Sequence, residues 1–375
     1  MAHVYLAGVG MIKFGRREED LTELVFEAVD NLKKDTNTMD FDAVYVGVMS
    51  PDEFTGNGNI STVIADNLGL IKPSLRIETA SSTGAGVFHA AFIAVASGHY
   101  ENVLVVAGEK MTHLPTSQIT KILAKVISPE ERRYGATMPA LAAMITRRYM
   151  HDFELERENL GLVAIKNHYN GSLNPYAHFQ KKVTLEEVLK SKIIADPLRL
   201  YDCAPVSDGA CAVALTSKKG DVKVKGIGHA TDTFSLQHRD SLTGFKSTKI
   251  AAKKTYLMAK IGPKDVDVAE VHDAFTTFEI IDCEDLGFFK PGEGGIALKK
   301  GKTELSGELP INPSGGLKAR GHPVGASGLA QIIEIYWQLT GKAEKRQIDD
   351  AKIGLTQSIG GLANNNLVTI LEACT

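Results

Sequence analysis

Apolar residues along the chain either alternate with polar ones or recur with helical spacing, and these two patterns follow each other in a regular order. In the first half they predict strand, helix, strand, helix and strand, at residues 3–10, 21–33, 41–47, 85–96 and 102–108. The last of these, N-V-L-V-V-A-G, is apolar throughout, as expected for a strand in a sheet that is covered on both faces. The pattern therefore predicts an α/β fold.

The same order of elements returns after residues 217–221, S-K-K-G-D, which we interpret as a linker. The second series comprises residues 222–230, 248–261, 266–275, 321–336 and 352–361. A repeated order, with a buried helix at the same place each time, predicts two similar α/β halves at residues 1–216 and 222–375. From about 109 to 200 the pattern loosens into helices and polar loops, which we interpret as an inserted subdomain that covers a site.

The two halves are organised around the stretch that joins a short strand, residues 75–79, to the helix at 85–96. Between them lie only small or hydroxylated residues, A-S-S-T-G, and the helix has apolar residues on all sides, which places it inside the protein. The first N–H groups of such a helix and the positive end of its dipole face the turn. Ser81 in this turn is therefore a candidate site residue; the alternative is a core helix with a Gly/Ser start.

Three later stretches hold polar residues that packing alone does not explain. His272 ends an apolar strand, where a parallel sheet places active-site residues; the alternative is a half-buried histidine paired with Asp273. His322 lies among glycines in G-H-P-V-G-A-S-G at the start of a buried helix, so that backbone can approach a ligand beside the imidazole. Gly360 belongs to a glycine turn at a strand end, which could offer backbone donors to an oxyanion.

Composition narrows the class of protein. The chain has 375 residues, a formal net charge of -3 and only scattered basic doublets, so nothing in it suggests a nucleic-acid or membrane-surface protein. No apolar run approaches the roughly 18 residues that span a bilayer, and the start of the chain does not resemble a signal peptide. Cys203, Cys211, Cys283 and Cys374 form neither a CxxC pair nor a zinc-ligand spacing. We expect a cytoplasmic protein with mostly structural thiols and no metal site.

Together these motifs resemble the thiolase superfamily, in the branch of sterol carrier protein 2 and the archaeal acetyl-CoA acetyltransferases. The G-H-P-x-G-A-S-G block is highly specific, and H-D-A-F at 272–275 points to this branch, because other thiolases have N-E-A-F there. G-E-K-M-T at 108–112, K-N-H…N-P at 166–175 and S-D-G-A at 207–210 agree. The resemblance covers essentially the whole chain. It implies the thiolase fold, in which two βαβαβ-type halves pack as a five-layer αβαβα core.

The resemblance also implies roles for the candidate residues. Thiolases join or split acyl groups at C2 of acetyl-CoA through an acyl-enzyme, with coenzyme A thioesters as substrates and no permanently bound cofactor. His322 would activate the nucleophile and His272 would help to bind the enolate oxygen. Backbone N–H groups of Ser81 and Gly360 would form a second oxyanion hole. The residues assigned to coenzyme A binding are Asn312, Ser314, Gly315 and Gly316.

Ser81 departs from the family pattern, since it stands where that pattern has its nucleophilic cysteine; Ser358 stands where other thiolases have a second cysteine. A thiol titrates at about pH 8.5 and can form a thiolate, whereas a serine hydroxyl needs a general base. We therefore predict little ordinary thiolase turnover. Ser81 is either an engineered Cys-to-Ser replacement or natural, in a subunit with altered chemistry or one that binds acyl-CoA without reacting; we favour a natural serine.

Two functions follow. The first is a thiolase-like acyl-CoA C-acyltransferase of the acetyl-CoA acetyltransferase type, impaired or altered by Ser81. The second is a non-catalytic acyl-CoA-binding or scaffold subunit. A ketoacyl synthase is disfavoured because its C-H-H pattern is missing. The resemblance implies a homodimer or dimer of dimers that pairs through edge strands. It also implies a small OB-fold acyl-CoA-binding partner, and no nucleic-acid or membrane partner.

Overall fold

The computed structural model describes residues 2–36 and 40–374 of the chain. The strands in these residues are β1 (Tyr5–Met11), β2 (Ala43–Gly47), β3 (Ser74–Ile77), β4 (Asn102–Glu109), β5 (Ile193–Ala195), β6 (Leu198–Arg199), β7 (Gly209–Thr216), β8 (Val222–Thr231), β9 (Val268–Glu270), β10 (Ile353–Gly360) and β11 (Asn365–Ala373). The α-helices are α1 (Leu21–Asp35), α2 (Pro51–Phe54), α3 (Ile60–Asn67), α4 (Thr83–Ala96), α5 (Thr116–Leu123), α6 (Pro129–Arg133), α7 (Met138–Asp152), α8 (Arg157–Ser172), α9 (Leu185–Lys190), α10 (Lys246–Ala259), α11 (Thr276–Asp285), α12 (Gly294–Lys299), α13 (Gly316–Ala319) and α14 (Ser327–Thr340).

Nine of these strands form one mixed sheet in the order β3-β2-β4-β7-β1-β8-β11-β10-β9. The strands of the first half fill one side and those of the second half fill the other. The two sides join at β1 and β8, where only Tyr5–Lys223 and Leu6–Val222 pair. Within the first half β2 runs parallel to β3 and β4, and within the second half β9 runs parallel to β10. The sheet therefore consists of two similar parts with a short junction.

Helices cover the sheet in layers. Helix α1 packs on β1 and β7, and α10 packs on β8 and β11. Helices α4 and α14 pack against each other, and each contacts strands of both halves. A large central sheet packed with helices confirms the predicted α/β fold class. Within residues 2–36 and 40–374, no helix is both long and apolar enough to cross a membrane.

The two central helices touch through glycine. A Cβ on Gly84 would lie 2.5 Å from the backbone nitrogen of Leu329, and a Cβ on Gly328 would lie 2.5 Å from that of Ala85. Real side chains do not approach backbone this closely, so only glycine permits the contact. This crossing places the start of α4 directly against the start of α14. The turns that precede the two helices, with Ser81 and His322, therefore meet.

Several sequence predictions need correction. Helix α4 is not buried on all sides, because Ile93 is 59% exposed. The predicted strand at 266–275 is shorter, as β9, and the predicted helix at 321–336 begins only with α14. Helices α11 and α13 and strand β11 were not predicted. Helix α11 is buried throughout although it carries four acidic residues: Glu279, Asp282, Glu284 and Asp285.

The segment at 109–200, predicted as an inserted subdomain, holds α5 to α9 and the small β5–β6 sheet. Ile119, Leu123, Met138 and Ile194 from this segment line the cavity described below. The segment therefore contributes one wall of the site. The domain boundaries at 216 and 222 remain a prediction.

Candidate active site

Ser81 lies in a strained turn between β3 and α4. Ala80 before it has a φ of +53°, a left-handed conformation that alanine rarely adopts. The Ser81 side chain is 9% exposed, and its Oγ donates a hydrogen bond to the carbonyl oxygen of Ile359 at 2.9 Å. The turn is thus tied to the end of β10, where Ile359 precedes Gly360.

His322 lies in the turn before α14, and its hydrogen bonds fix its tautomer. Its Nδ1 is 2.7 Å from the Oγ of Ser327, and that hydroxyl is 2.9 Å from the carbonyl oxygen of Pro323. A carbonyl oxygen only accepts, so the Ser327 hydroxyl donates to Pro323 and accepts the Nδ1–H of His322. The lone pair of His322 is consequently on Nε2, which has no hydrogen-bond partner in the described residues. The residue lines the cavity, so Nε2 is available to a ligand.

His272 lies two residues beyond β9 and is 2% exposed. Its backbone N–H donates to the Oε1 of Gln357 at 2.9 Å, which fixes the loop against β10. Its Nδ1 is buried without a hydrogen-bond partner in the described part of the chain, so Nε2 is the ring nitrogen left to the cavity. The alternative pairing with Asp273 is absent among these residues, because that carboxylate accepts from Asn167 and from the backbone of Leu317.

The two imidazoles lie close together. Their ring centroids are 5.2 Å apart in an edge-to-face arrangement. Burial, and the positive charge of Arg320, lower the pKa of His322 to about 3. Burial, followed by the charges of His322 and Arg320, lowers the pKa of His272 well below its usual value. Both rings are therefore neutral near pH 7 and can donate or accept one proton each.

A cavity of about 330 Å³ opens beside Ser81, His272 and His322. Its remaining lining is mainly apolar and comes from both halves of the chain and from the 109–200 segment: Met49, Ile119, Leu123, Val126, Met138, Pro139, Ile194, Val206, Ala274, Phe275, Phe278, Val324 and Ile359. An apolar cavity with a few convergent polar groups is typical of a small-molecule site.

No hydrogen bond joins the Ser81 hydroxyl to either imidazole in the described residues; its proton goes to Ile359 instead. A serine nucleophile needs a base within hydrogen-bond reach. The structure thus places the three predicted residues Ser81, His272 and His322 around one cavity without forming a nucleophile–base pair.

Gly360 permits the close approach of β10 to the Ser81 turn. A Cβ at this position would lie 2.3 Å from the carbonyl oxygen of Thr79 and 2.6 Å from the Oγ of Ser82. The neighbouring Ser358 is buried, and its Oγ has no hydrogen-bond partner in the described residues. It faces Gly328 on α14. Gly360 is therefore next to the cavity, and its proposed use as an oxyanion donor remains a prediction.

The residues assigned to coenzyme A binding lie behind the site. Asn312 and Ser314 are fully buried and bond to protein groups: Asn312 to Glu279 and to the backbone of Val271, Ser314 to Glu270. Gly315 and Gly316 have positive φ angles, +96° and +59°, and begin α13. None of the four residues lines the cavity. The coenzyme A assignment remains a prediction.

Two motifs that carried the resemblance meet in the structure. Asp208 of S-D-G-A accepts hydrogen bonds from the backbone of Met111 and Thr112 and from the Thr112 hydroxyl. It also forms a buried ion pair with Lys110 at 3.0 Å. These contacts hold the chain after β4 against the chain before β7. They occupy both carboxylate oxygens of Asp208 and leave no atom of it for chemistry.

Sequence reasoning missed two residues of this region. Cys203 lines the cavity, and burial raises its thiol pKa to about 11, opposed in part by the charge of Lys318. Glu109 is fully buried, and its Oε2 accepts from the backbone of Met49 at 3.1 Å and of Gly325 at 3.0 Å. Only the position of Glu109 in G-E-K-M-T could have signalled its role. Among the described residues, no cluster of three side chains could hold a metal ion.

Comparison with known proteins agrees with this geometry. Residues 4–219 match the family described as thiolase, N-terminal domain, and residues 228–373 match the family described as thiolase C-terminal domain-like. The acetyl-CoA acetyltransferase of Methanothermobacter thermautotrophicus is 42% identical over 99% of this chain and 100% of its own length. Sterol carrier protein 2 of Rattus norvegicus is 33% identical over 96% of this chain and 70% of its own length.

Solved structures share the fold. A structure of an Ltp2–ChsH2(DUF35) aldolase superposes with a TM-score of 0.86 at 23% identity, over 99% of this chain and 98% of that one. The class of the protein is thus defined by an α/β core in which two histidines share one cavity. His272 follows a strand, and His322 precedes a central helix. The chain belongs to the thiolase family. Its relatives include archaeal acetyl-CoA acetyltransferases and sterol carrier protein 2.

Proposed function

We propose that this chain binds acyl-CoA thioesters and acts at the carbon–carbon bond next to the thioester, as a thiolase-like acyl-CoA C-acyltransferase with altered turnover. The observation that carries the proposal is the opening of two neutral imidazoles, His272 and His322, into one apolar cavity beside Ser81. Chemistry at such a bond needs a base and a donor for an enolate oxygen, and these rings can supply both. A relative with 42% identity is named acetyl-CoA acetyltransferase, which supports coenzyme A thioesters as the substrates. The absence of a permanent cofactor remains a prediction.

Ordinary thiolase turnover is low in this proposal because of Ser81. The hydroxyl is not paired with an imidazole, so nothing removes its proton as it attacks a thioester. A cysteine at the same place would not need that pairing to the same degree, since a thiol ionises about four or more pH units below a serine hydroxyl and is intrinsically more nucleophilic.

The test is thiolysis of acetoacetyl-CoA by free coenzyme A, measured for the natural chain and for Ser81→Cys. We expect the natural chain to bind acetoacetyl-CoA and turn it over slowly, and Ser81→Cys to be about 100-fold faster or more. Ser81→Ala is the matched control, because it removes the hydroxyl without adding a thiol. If neither the natural chain nor Ser81→Cys binds or converts any acyl-CoA, the proposal is wrong.

A second candidate function is that of a non-catalytic acyl-CoA-binding or scaffold subunit. The hydrogen bond between Ser81 and Ile359 favours it, since the hydroxyl is engaged and not poised for attack. One solved structure of the same fold contains two proteins, Ltp2 and ChsH2(DUF35), which supports a search for a small partner of this kind. Co-purification of such a partner, with acyl-CoA binding but no turnover by either protein or the complex, would favour this function over the first.

We also propose a homodimer. Strand β3 is at one edge of the large sheet, and Leu75 on it is 52% exposed. On neighbouring α4, Ile93 is 59% exposed. Apolar side chains beside an open strand edge fit pairing with a second copy. Sedimentation should give a dimer for the natural chain and a monomer for Leu75→Glu, while the surface change Lys299→Glu should leave the dimer intact. The cytoplasmic location remains a prediction.

A further inference from the structure

We propose that the outer face of helix α10 binds an acidic segment of a partner protein. A groove of about 630 Å³ runs between the second half of α10 and the end of α11. The buried Ala252 and Leu286 form its floor, and the exposed Lys253, Leu257 and Lys260 form its rim. We call this the α10 groove. None of the described residues that line it also lines the cavity of the candidate active site, so the inference stands apart from the proposed function.

Helix α10 buries small side chains and exposes large apolar ones. The side chains that it buries are all small: Ser247, Thr248, Ala251, Ala252, Thr255 and Ala259. In contrast, Leu257 is 69% exposed, Met258 39% and Ile250 37%. A helix that only covers a sheet turns its large apolar side chains toward that sheet, because their burial stabilises the fold. The outer apolar residues of α10 therefore call for a reason other than packing within this chain.

Glycines in β8 explain why the buried face of α10 is small. A Cβ on Gly228 would lie 2.1 Å from the carbonyl oxygen of Ala251, and a Cβ on Gly226 would lie 2.7 Å from that of Thr255. The backbones of α10 and β8 thus approach too closely for large side chains between them. This close packing makes no demand on the outer face, where polar residues would satisfy the fold. The exposed Leu257 is an additional feature.

Lysine supplies the charge of the same face. Residues 246–264 hold six lysines and no acidic residue, in a chain whose formal net charge is -3. Lys249 at the groove pairs with Asp285 at 3.2 Å. Lys253 and Lys260 form no ion pair within the residues that the structure describes. The positive potential of the α10 groove is thus left for a group from outside the chain.

An apolar floor with a lysine rim defines the chemistry of the partner. A segment with Asp or Glu beside a large apolar residue can pair its carboxylates with Lys253 and Lys260. Its apolar side chain then enters the groove beside Leu257. Amphipathic helices bind grooves in this manner. A flat anionic lipid surface would meet the lysines but leave the groove unfilled, so the shape favours a protein segment.

The probe is a fluorescein-labelled peptide, E-E-L-F-E-E-L-L-E-E, whose acidic and apolar residues lie on different faces of a helix. Fluorescence anisotropy should give a Kd on the order of 10 µM for the natural chain at about 50 mM NaCl. At about 500 mM NaCl the affinity should fall about tenfold or more, because salt screens exposed charges. The same peptide with glutamine in place of every glutamate should bind about tenfold more weakly or worse.

Two variants and two matched controls locate the binding site. Leu257→Ser removes the apolar contact and Lys253→Glu reverses a rim charge, and each should weaken peptide binding about tenfold or more. Ile296→Ser removes an equally simple apolar side chain on α12, where Ile296 is 53% exposed. Lys299→Glu makes the same charge change on that helix. Both controls should bind the peptide like the natural chain, and all four variants should melt with it, because the substituted side chains are exposed.

Several results would overturn the inference. One is the absence of peptide binding by the natural chain, and another is equal binding by Leu257→Ser. Cosedimentation of the natural chain with vesicles of phosphatidylcholine and phosphatidylserine, lost in Leu257→Ser, would assign the face to a membrane. A change of oligomeric state in Leu257→Ser would assign it to a second copy. Acyl-CoA binding is measured on the same proteins and should not change in Leu257→Ser, so a failure of the proposed function is seen separately.

Discussion

The ring of His272 lies edge to face against the ring of His322, with 5.2 Å between their centroids. His272 follows β9 and His322 precedes α14. Their contact therefore shows that the end of β9 packs closely against the start of α14. The charge of His322 disfavours a charge on His272, and both rings are removed from water. Both rings are therefore neutral near pH 7, and this neutrality has consequences for stability as well as for chemistry.

Acid should destabilise the fold through His322. Its pKa is lowered to about 3 in the folded chain and is about 6.5 when unfolded. Between these values the unfolded state binds more protons, so stability falls as the pH falls from about 6.5. Each pH unit lowers the free energy of unfolding by at most about 1.4 kcal/mol per histidine. His322→Gln removes this contribution, so its melting temperature should fall less between pH 7 and pH 5 than that of the natural chain.

The exposed His99 supplies the control for this experiment. His99→Gln should follow the pH dependence of the natural chain, because it replaces an exposed ring and leaves the buried His322 in place. Buried carboxyl groups also titrate in this range, but they are common to all three proteins and cancel in the difference. If the melting temperatures of His322→Gln and the natural chain fall equally with pH, the imidazole of His322 is protonated as easily in the folded chain as in the unfolded one.

Gly360→Ala should damage the fold at the site. The new methyl would lie 2.3 Å from the Thr79 carbonyl oxygen, a backbone atom that cannot rotate away. Overpacking of this kind costs about 1–3 kcal/mol, measured as a loss of unfolding free energy in urea. Gly262→Ala is the matched change, because its Cβ would meet only the Asp265 carboxylate at 3.8 Å. Similar losses for both variants would mean that the β10 end does not approach the Ser81 turn.

Glu109→Gln should be tolerated although the residue is a fully buried acid. Burial raises the pKa of Glu109 well above its usual value, against the hydrogen bonds from Met49 and Gly325, and so favours the neutral side chain. Glutamine keeps the shape and an oxygen for both N–H groups, and we expect a loss below about 1 kcal/mol. Glu109→Ala leaves both donors unpaired beside a new cavity and should cost about 2–4 kcal/mol. If Glu109→Gln lowers the free energy of unfolding as much as Glu109→Ala does, the carboxylate of Glu109 is charged.

Local sequence predicted several strands and the helix α4 well, because these elements are apolar and their ends carry glycine. The predicted strand at 352–361 and β10 agree closely, as do the predicted helix at 85–96 and α4. The turn at Ser81 followed from the same pattern. The meeting of His272 with His322, by contrast, depended on family resemblance, since neither periodicity nor spacing states which turns share a cavity.

Helix α11 shows why some elements could not be predicted. Its acidic residues are buried because their partners come from distant parts of the chain. Glu279 pairs with Lys166 at 3.1 Å, and Asp282 accepts from Gln357 at 3.0 Å. Ile93 shows the opposite case, an apolar residue that the fold of one chain leaves exposed. The local sequence pattern predicts neither the distant partners of buried acidic residues nor the surface that a second copy of the chain would cover.

Cys203 should report occupancy of the cavity. It lines the cavity, whereas Cys211 and Cys283 are buried and Cys374 lies elsewhere, near the end of the chain. In a Cys374→Ser background, N-ethylmaleimide should label Cys203 alone, as read by peptide mass. Only the thiolate reacts, and burial raises the pKa of Cys203 to about 11, so the labelling rate should rise about tenfold per pH unit from 7 to 9. Saturating acyl-CoA should slow labelling about tenfold or more by excluding the reagent, while an equal concentration of AMP should not. Labelling that is fast at pH 7, or indifferent to acyl-CoA, would mean that Cys203 is exposed outside the acyl site.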